Sequence, residues 1–379
     1  MTFRPVFFKH ERILTTYLFR ELLLYFAVSF LFFFMVFFVN QILLLAENIL
    51  KKRVPLWDVV RLVTYGLPFI IAQSAPFATL VGFLMCLGRM MSDNEILIIR
   101  ASGCGYSRII LPVILLGFVI SLFSFFVNDY LLPLGSLHYN RLYRSILASN
   151  PAVELEPNSV KRTRNATLVI GDVDGKSVSD LVFLDTDASG RQRIITAGRS
   201  QIHTAKNPGV IMQLNMTDAK ILLFSKKQPK NYDVMTSGAV SLNIFESAFF
   251  DQKTGLSPNE MTSADLRKKI GSMEADKNIS KKLLNRYQLE YNKKFSLPFA
   301  SVFFALLAVP LAILFGRHNG QTIGLIIGII ICVIYWALMI IGQILASRND
   351  FNGIAVMWLP DLLVGLSGSL FYLRLVKAR

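Results

Sequence analysis

Apolar residues gather in six long uncharged runs, three toward each end of the chain, with a polar block over residues 129–294 between them. The first three are Leu22–Ala46, Leu62–Gly88 and Ile109–Asn128. The later three are Phe295–Gly316, Asn319–Ser347 and Gly353–Leu373, the last interrupted by Asp361. A bilayer core about 30 Å thick takes roughly 20 apolar residues per helix. Each run therefore predicts a spanning helix, and the whole predicts a polytopic α-helical membrane protein, three plus three, with one large inserted domain. The first run is too long for a signal-peptide core and no small-residue cleavage site follows it, so it is expected to be retained.

Inside the polar block the period changes. From Ala166 to Ile244, short alternating stretches predict strands at Thr167–Ile170, Leu181–Leu184, Arg193–Thr196, Gly209–Leu214, Ala219–Phe224 and Ala239–Ile244. Turn residues between them point to an antiparallel β-sandwich or jelly roll over residues 135–260. After Pro258 the pattern becomes helical. Ser263 is placed to cap a helix carrying Leu266, Ile270 and Met273, and residues 261–294 read as a helical stalk entering the fourth run. A solvated charged helix with no special role accounts for that segment equally well. The flanking membrane halves are then residues 1–134 and 295–379.

Composition agrees with a membrane class: 53% of the 379 residues are hydrophobic and the mean hydropathy is +0.48. The net charge of +15 is spread over loops and insert without an aromatic-studded basic signature. An anionic lipid is a better partner for it than nucleic acid. With the N-terminus in the cytoplasm, short cytoplasmic segments carry eleven basic residues against five on the other side, which favours that orientation and a periplasmic insert. The cluster Lys51, Lys52 and Arg53 runs against the trend. Three cysteines without a CxxC or Cys/His pair indicate neither a disulfide framework nor a zinc site.

Catalytic chemistry is hard to build from this chain. Its four histidines, His10, His138, His203 and His318, fall into no triad or metal spacing. The stretch Gly171–Ser177 reads GxxxGKS, one residue short of a phosphate loop, and lies between strands, so it predicts a hairpin turn. No catalytic residue, metal or cofactor is expected, and any ATP-driven work must come from a partner. An ion-driven transporter would need polar groups at mid-membrane, and only Asp361 qualifies. After Pro360 it is placed for the first turn of a helix, where the dipole favours an anion. A membrane-anchored periplasmic scaffold or receptor without transport is a further alternative.

The loop after the second run is the most informative local sequence. Ser92-x-x-Glu95 reads as a capping box opening a short helix, stopped by Gly103 and Gly105. Ile96, Leu97, Ile98 and Ile99 make that helix apolar nearly all round. One side can rest on the bundle; the other needs a second surface, either the membrane face or a partner's groove. On the first run, Phe30, Phe34 and Phe37 can line an apolar cavity or face lipid. Lys51, Lys52 and Arg53 can hold phosphates just outside the membrane.

The segment Ser92, Glu95, Arg100-Ala-Ser-Gly103 resembles the coupling segment of the lipopolysaccharide-export permeases, the LptF/LptG family. Lys294-Phe-Ser-Leu-Pro298, Leu306-Leu-Ala-Val-Pro-Leu311 and Met357-Trp-Leu-Pro360 are similar to that family too, in the same order along nearly the whole chain. The resemblance implies a permease subunit of an ABC-type exporter in the bacterial inner membrane. It implies extraction of lipopolysaccharide or a similar glycolipid toward a periplasmic bridge. The implied partners are a paralogous permease in a heterodimer, a cytoplasmic LptB-type ATPase dimer and an LptC-like single-helix protein. Ser92, Glu95, Ile96, Ile99, Arg100 and Gly103 would couple to the ATPase, Glu95 as the acidic contact. The first and fifth spans would be gate elements. Asn40 and Gln41 stand where the family often has a basic residue, and Asp361 where an asparagine is common.

Overall fold

The computed structural model describes residues 5–49, 55–149, 157–162, 166–174, 177–186, 192–204, 210–225, 228–245, 256–276, 279–348 and 353–377. Two compact units emerge. One comprises Met1–Ile49, Val59–Tyr139 and Leu256–Arg379; the other comprises Leu50–Asp58 and Asn140–Gly255.

The helices are α1 (Pro5–Ile49), α2 (Leu56–Ser92), α3 (Glu95–Ala101), α4 (Ser107–Phe126), α5 (Leu132–Ser149), α6 (Ser263–Glu274), α7 (Lys281–Phe315), α8 (Gly320–Arg348) and α9 (Gly353–Lys377). A π-helical turn, Val127–Leu131, joins α4 to α5 without a break. Among the described residues six spans are long and apolar enough to cross a bilayer, and each overlaps one of the predicted runs. The stalk segment consists of α6 and the first part of α7, and α7 runs on unbroken into the fourth span.

Close approach of backbones organises this unit. A Cβ on Gly88 would lie 2.2 Å from the Gly320 carbonyl oxygen, and one on Gly117 would lie 2.6 Å from Ala305 Cβ. In a bilayer, small residues earn their place by letting helices touch, because lipid tails compete for every apolar side chain. Phe83, Phe304 and Tyr335 fill the spaces left between the helices. The buried hydroxyls of Ser74 and Thr79 donate to the carbonyls of Ile70 and Ala75 one turn back.

Two expectations about caps are corrected. The N-cap of α6 is Thr262, whose hydroxyl accepts from the Asp265 amide, not Ser263. Asp361 sits in the interior of α9, not its first turn. It is fully buried and accepts hydrogen bonds from Ser296 (2.5 Å) and Tyr335 (2.9 Å). The carboxylate thus ties α9 to α7 and α8, which satisfies it structurally.

The insert is the antiparallel β domain that the alternation predicts. Its strands are β1 (Ser159–Arg162), β2 (Ala166–Ile170), β3 (Val173–Asp174), β4 (Ser177–Thr186), β5 (Gln192–Thr204), β6 (Val210–Ser225) and β7 (Gln228–Phe245). They form one sheet in the order β1-β2-β4-β5-β6-β7, with β3 paired to β4 as a hairpin. The inward residues Leu168, Ile170, Leu181, Ile195, Leu214 and Met216 share one core.

A single row of residues bends this sheet. Strand side chains alternate with period two, yet the inward pairs Val178/Leu181, Ala197/Ser200 and Met216/Ala219 are three apart. Between them lie Asp180, Gly198 and Asp218, in the gaps between flanking registered pairs such as Ser179↔Arg199 and Arg199↔Thr217, with Gly238 in the matching gap on β7. Gly171 continues the row: a Cβ there would sit 2.6 Å from the Ser179 carbonyl oxygen. Asn158 ends it, its amide donating to the Gly171 carbonyl at 2.7 Å. Asn158, Asp180 and Asp218 have φ of 54°, 51° and 52°. Such left-handed backbone suits Asn and Asp among residues with a Cβ. Asn or Asp therefore alternates with Gly across six neighbouring segments, and each strand spends one residue on turning. The same face stays inward on both sides of the crease, as sheet corners require.

The crease corrects the strand assignment. The stretches taken as separate strands at Gly209–Leu214 and Ala219–Phe224 belong to one strand, β6, bent at Asp218; Gly209 itself lies outside the described residues.

Candidate functional site

The short apolar helix α3 is the centre of the site. It spans seven residues, begins after Asn94 in left-handed conformation (φ 61°) and stops at Gly103 (φ 87°). The capping box is not formed: Ser92 belongs to the end of α2, and Asn94 makes no side-chain cap. Ile96 is 1% exposed and anchors the helix in the bundle core, with Ile99 packed against the same core. Leu97 and Ile98 point outward at 43% and 66% exposure. Two large apolar side chains thus project from a helix whose other side is already seated.

Ser92 faces inward along the chain. Its hydroxyl donates to the Gly316 carbonyl at 2.8 Å and accepts from the Gly320 amide at 2.7 Å, closing the turn between α7 and α8. Glu95 accepts from the Tyr17 hydroxyl of α1 at 2.9 Å and lies 3.5 Å from Arg89. The same Arg89 pairs with Glu21 of α1 at 2.8 Å and with Asp93 at 3.3 Å, and lies over the Tyr25 ring. Arg100 folds back onto Tyr106, bonding its hydroxyl and stacking on its ring at 4.1 Å. The charged side chains at 95 and 100 are thus held by the chain itself. The outward surface is apolar, made by residues 97 and 98, which the resemblance did not single out.

The phenylalanines of α1 form two stacks at helical spacing. Phe26, Phe30, Phe34 and Phe38 follow one another at 5.8–6.1 Å between centroids. Phe33 and Phe37 meet Phe77 of α2, which meets Tyr335 of α8 edge to face. Phe30, Phe34 and Phe37 are half-buried, with Phe30 and Phe37 against the bundle core. Lys51, Lys52 and Arg53 lie outside the described residues.

Sequence reasoning missed a second polar cluster. Asp129, in the π-helical turn, accepts from the amide (2.7 Å) and hydroxyl (2.9 Å) of Ser263 and lies 3.5 Å from Lys294 Nζ. Lys294 Nζ also donates to the Asn128 carbonyl, while Asn128 Nδ2 donates to the Lys294 carbonyl. Asp129 and Lys294 are nearly fully buried. The signal was present: an acid and a lysine at the ends of apolar runs, where ionisable residues need partners. Nearby, a cavity of about 250 Å³ mixes Gln73, Lys293 and Gln343 with Phe77, Trp336 and Met339. Among the described residues no cluster of His, Cys, Asp or Glu is placed to hold a metal.

Six spans, an inserted β domain and a small seated helix with an apolar outer face define a multi-pass membrane protein. The family described as lipopolysaccharide export system permease LptF/LptG matches residues 16–374, and the chain belongs to that family. It is also similar to the uncharacterized protein RP871 of Rickettsia prowazekii (strain Madrid E), at 21% identity over 180 residues. That match covers 47% of this chain and 49% of the relative, so the chain spans about half the length of the curated protein it matches.

Proposed function

We propose that this chain is one half of a lipopolysaccharide exporter of the bacterial inner membrane, moved by a separate cytoplasmic LptB-type ATPase dimer. The reading places both termini in the cytoplasm and the β domain in the periplasm. A paralogous permease completes the bundle, and an LptC-like single-helix protein docks nearby. The observation that carries it is α3, seated by Ile96 and presenting Leu97 and Ile98 to a second surface. An apolar pair of this size in water costs free energy that a partner's groove recovers. Family membership supplies the substrate class, and the phenylalanine stacks of α1 supply an apolar lining for acyl chains. Lys51, Lys52 and Arg53 are the proposed contacts for its phosphates. The segment Ser92–Gly103, with Glu95, Ile96, Ile99 and Arg100, is the proposed coupling element.

The test is Ile98→Asp in chain co-expressed with the ATPase. Membrane insertion is expected to be normal, because Ile98 is 66% exposed and lies outside the buried core. Recovery of the ATPase in a detergent pull-down is expected to fall roughly tenfold or more, from burying an unpaired carboxylate in an apolar groove. Undiminished recovery would assign the outer face of α3 to the membrane surface instead.

A further inference from the structure

Helix α3 is joined through the backbone only to α2 and α4. Yet α1 and α8 both reach this region through side chains. We propose that Ser92 and Arg89 are the two links by which a displacement of α3 is delivered separately to α8 and to α1. This rests on the reading of α3 as the docking helix and adds the residues that carry motion away from it.

The α8 link is tight. Ser92 Oγ holds the Gly320 amide, the first of α8, and the Gly316 carbonyl at the end of α7. A Cβ on Gly320 would lie 2.1 Å from the Gly88 carbonyl oxygen and 2.9 Å from Ser92 Oγ, so the two backbones have no slack. Asn319, at φ 47°, immediately precedes α8. A shift at the end of α2 therefore moves the beginning of α8 with it.

The α1 link is electrostatic. Arg89 is the cation shared by Glu21 of α1, Asp93 and Glu95. Without it, carboxylates on α1 and α3 face each other and attraction becomes repulsion. Tyr17 adds a direct bond from α1 to Glu95. This grip matters because α1 is the least embedded of the six spans. Leu18 and Leu22 bury themselves beside it, but apolar contact slides where hydrogen bonds do not. Residues 89 and 92, three apart on α2, sit on adjacent faces of one helix, so one element addresses two partners.

The experiment uses the full chain in nanodiscs with Cys104→Ser and spin labels at exposed positions 98, 24 and 326. Arg89→Gln is expected to broaden the 98–24 distance distribution and leave 98–326 as in the parent. Ser92→Ala is expected to do the reverse. Adding Glu21→Gln to Arg89→Gln relieves the repulsion and is expected to narrow the 98–24 distribution again. Both substitutions moving both distances, or neither moving its own, would overturn the proposal. In proteoliposomes with the paralogous permease and the ATPase, each single variant is expected to release roughly 2- to 30-fold less lipopolysaccharide per ATP hydrolysed. An unchanged ratio with ATPase bound would also overturn it. A failure of the docking reading shows elsewhere, as ATPase retained by Ile98→Asp, and leaves the distance measurements intact.

Discussion

A buried charge reveals its partner when one of the two is removed. Asp129 and Lys294 sit together at the π-helical turn, each with extra hydrogen bonds that offset the loss of water. Removing one member of such a pair typically costs about 3–5 kcal/mol, whereas replacing both with apolar residues is often neutral. Lys294→Met is therefore expected to lower the thermal unfolding midpoint in detergent well below that of the parent. Asp129→Leu combined with Lys294→Met is expected to recover most of the loss. Additive losses would show that the two residues act independently. Asp361 was legible as an intramembrane acid, because a single charge in an apolar run is conspicuous. Its hydroxyl partners were not, since Ser296 and Tyr335 lie far from it in the chain. Arg89 was counted only as an orientation charge; that it gathers three carboxylates depends on α1 passing beside the end of α2, which no local pattern encodes.

Among the elements, the spans were the most legible and the strands the least. A run of some 20 apolar residues has one physical destination, whereas a half-buried strand is only a weak alternation. Residues 215–218 fall between the two alternating stretches and Asp is depleted in strands, so the pattern reads as two strands where β6 is one. The four-residue β1 and two-residue β3 were too short to show any period. The bend is testable at one position. Asp218→Val should cost about 1–2 kcal/mol locally, because a β-branched residue resists positive φ. Amide exchange in β5, β6 and β7 should then quicken, while Asp218→Gly should leave protection near that of the parent. Equal effects of the two would mean that the Asp side chain, not its backbone conformation, is what the crease needs.

At the level of the whole molecule, the charge bias of the loops predicts which side each part faces. Cys86 and Cys332 are buried, and Cys104 is partly exposed beside α3. A membrane-impermeant maleimide applied to intact spheroplasts should therefore spare Cys104 and label a Val160→Cys variant, whose site is on the exposed face of β1. Inside-out vesicles should reverse the result; labelling of both sites from one side would invalidate the proposed orientation. The two halves of the bundle interlock: Gly117 of α4 meets Ala305 of α7, Gly88 of α2 meets Gly320 of α8, and Asp129 waits for Lys294. Ribosomes add about 5–20 residues per second, so the roughly 150 residues separating Leu131 from Lys281 take on the order of 8–30 s to make. Throughout that interval the newborn first half stands in the bilayer with its grooves empty and one acid uncompensated, a state that biogenesis factors and quality-control proteases have ample time to inspect.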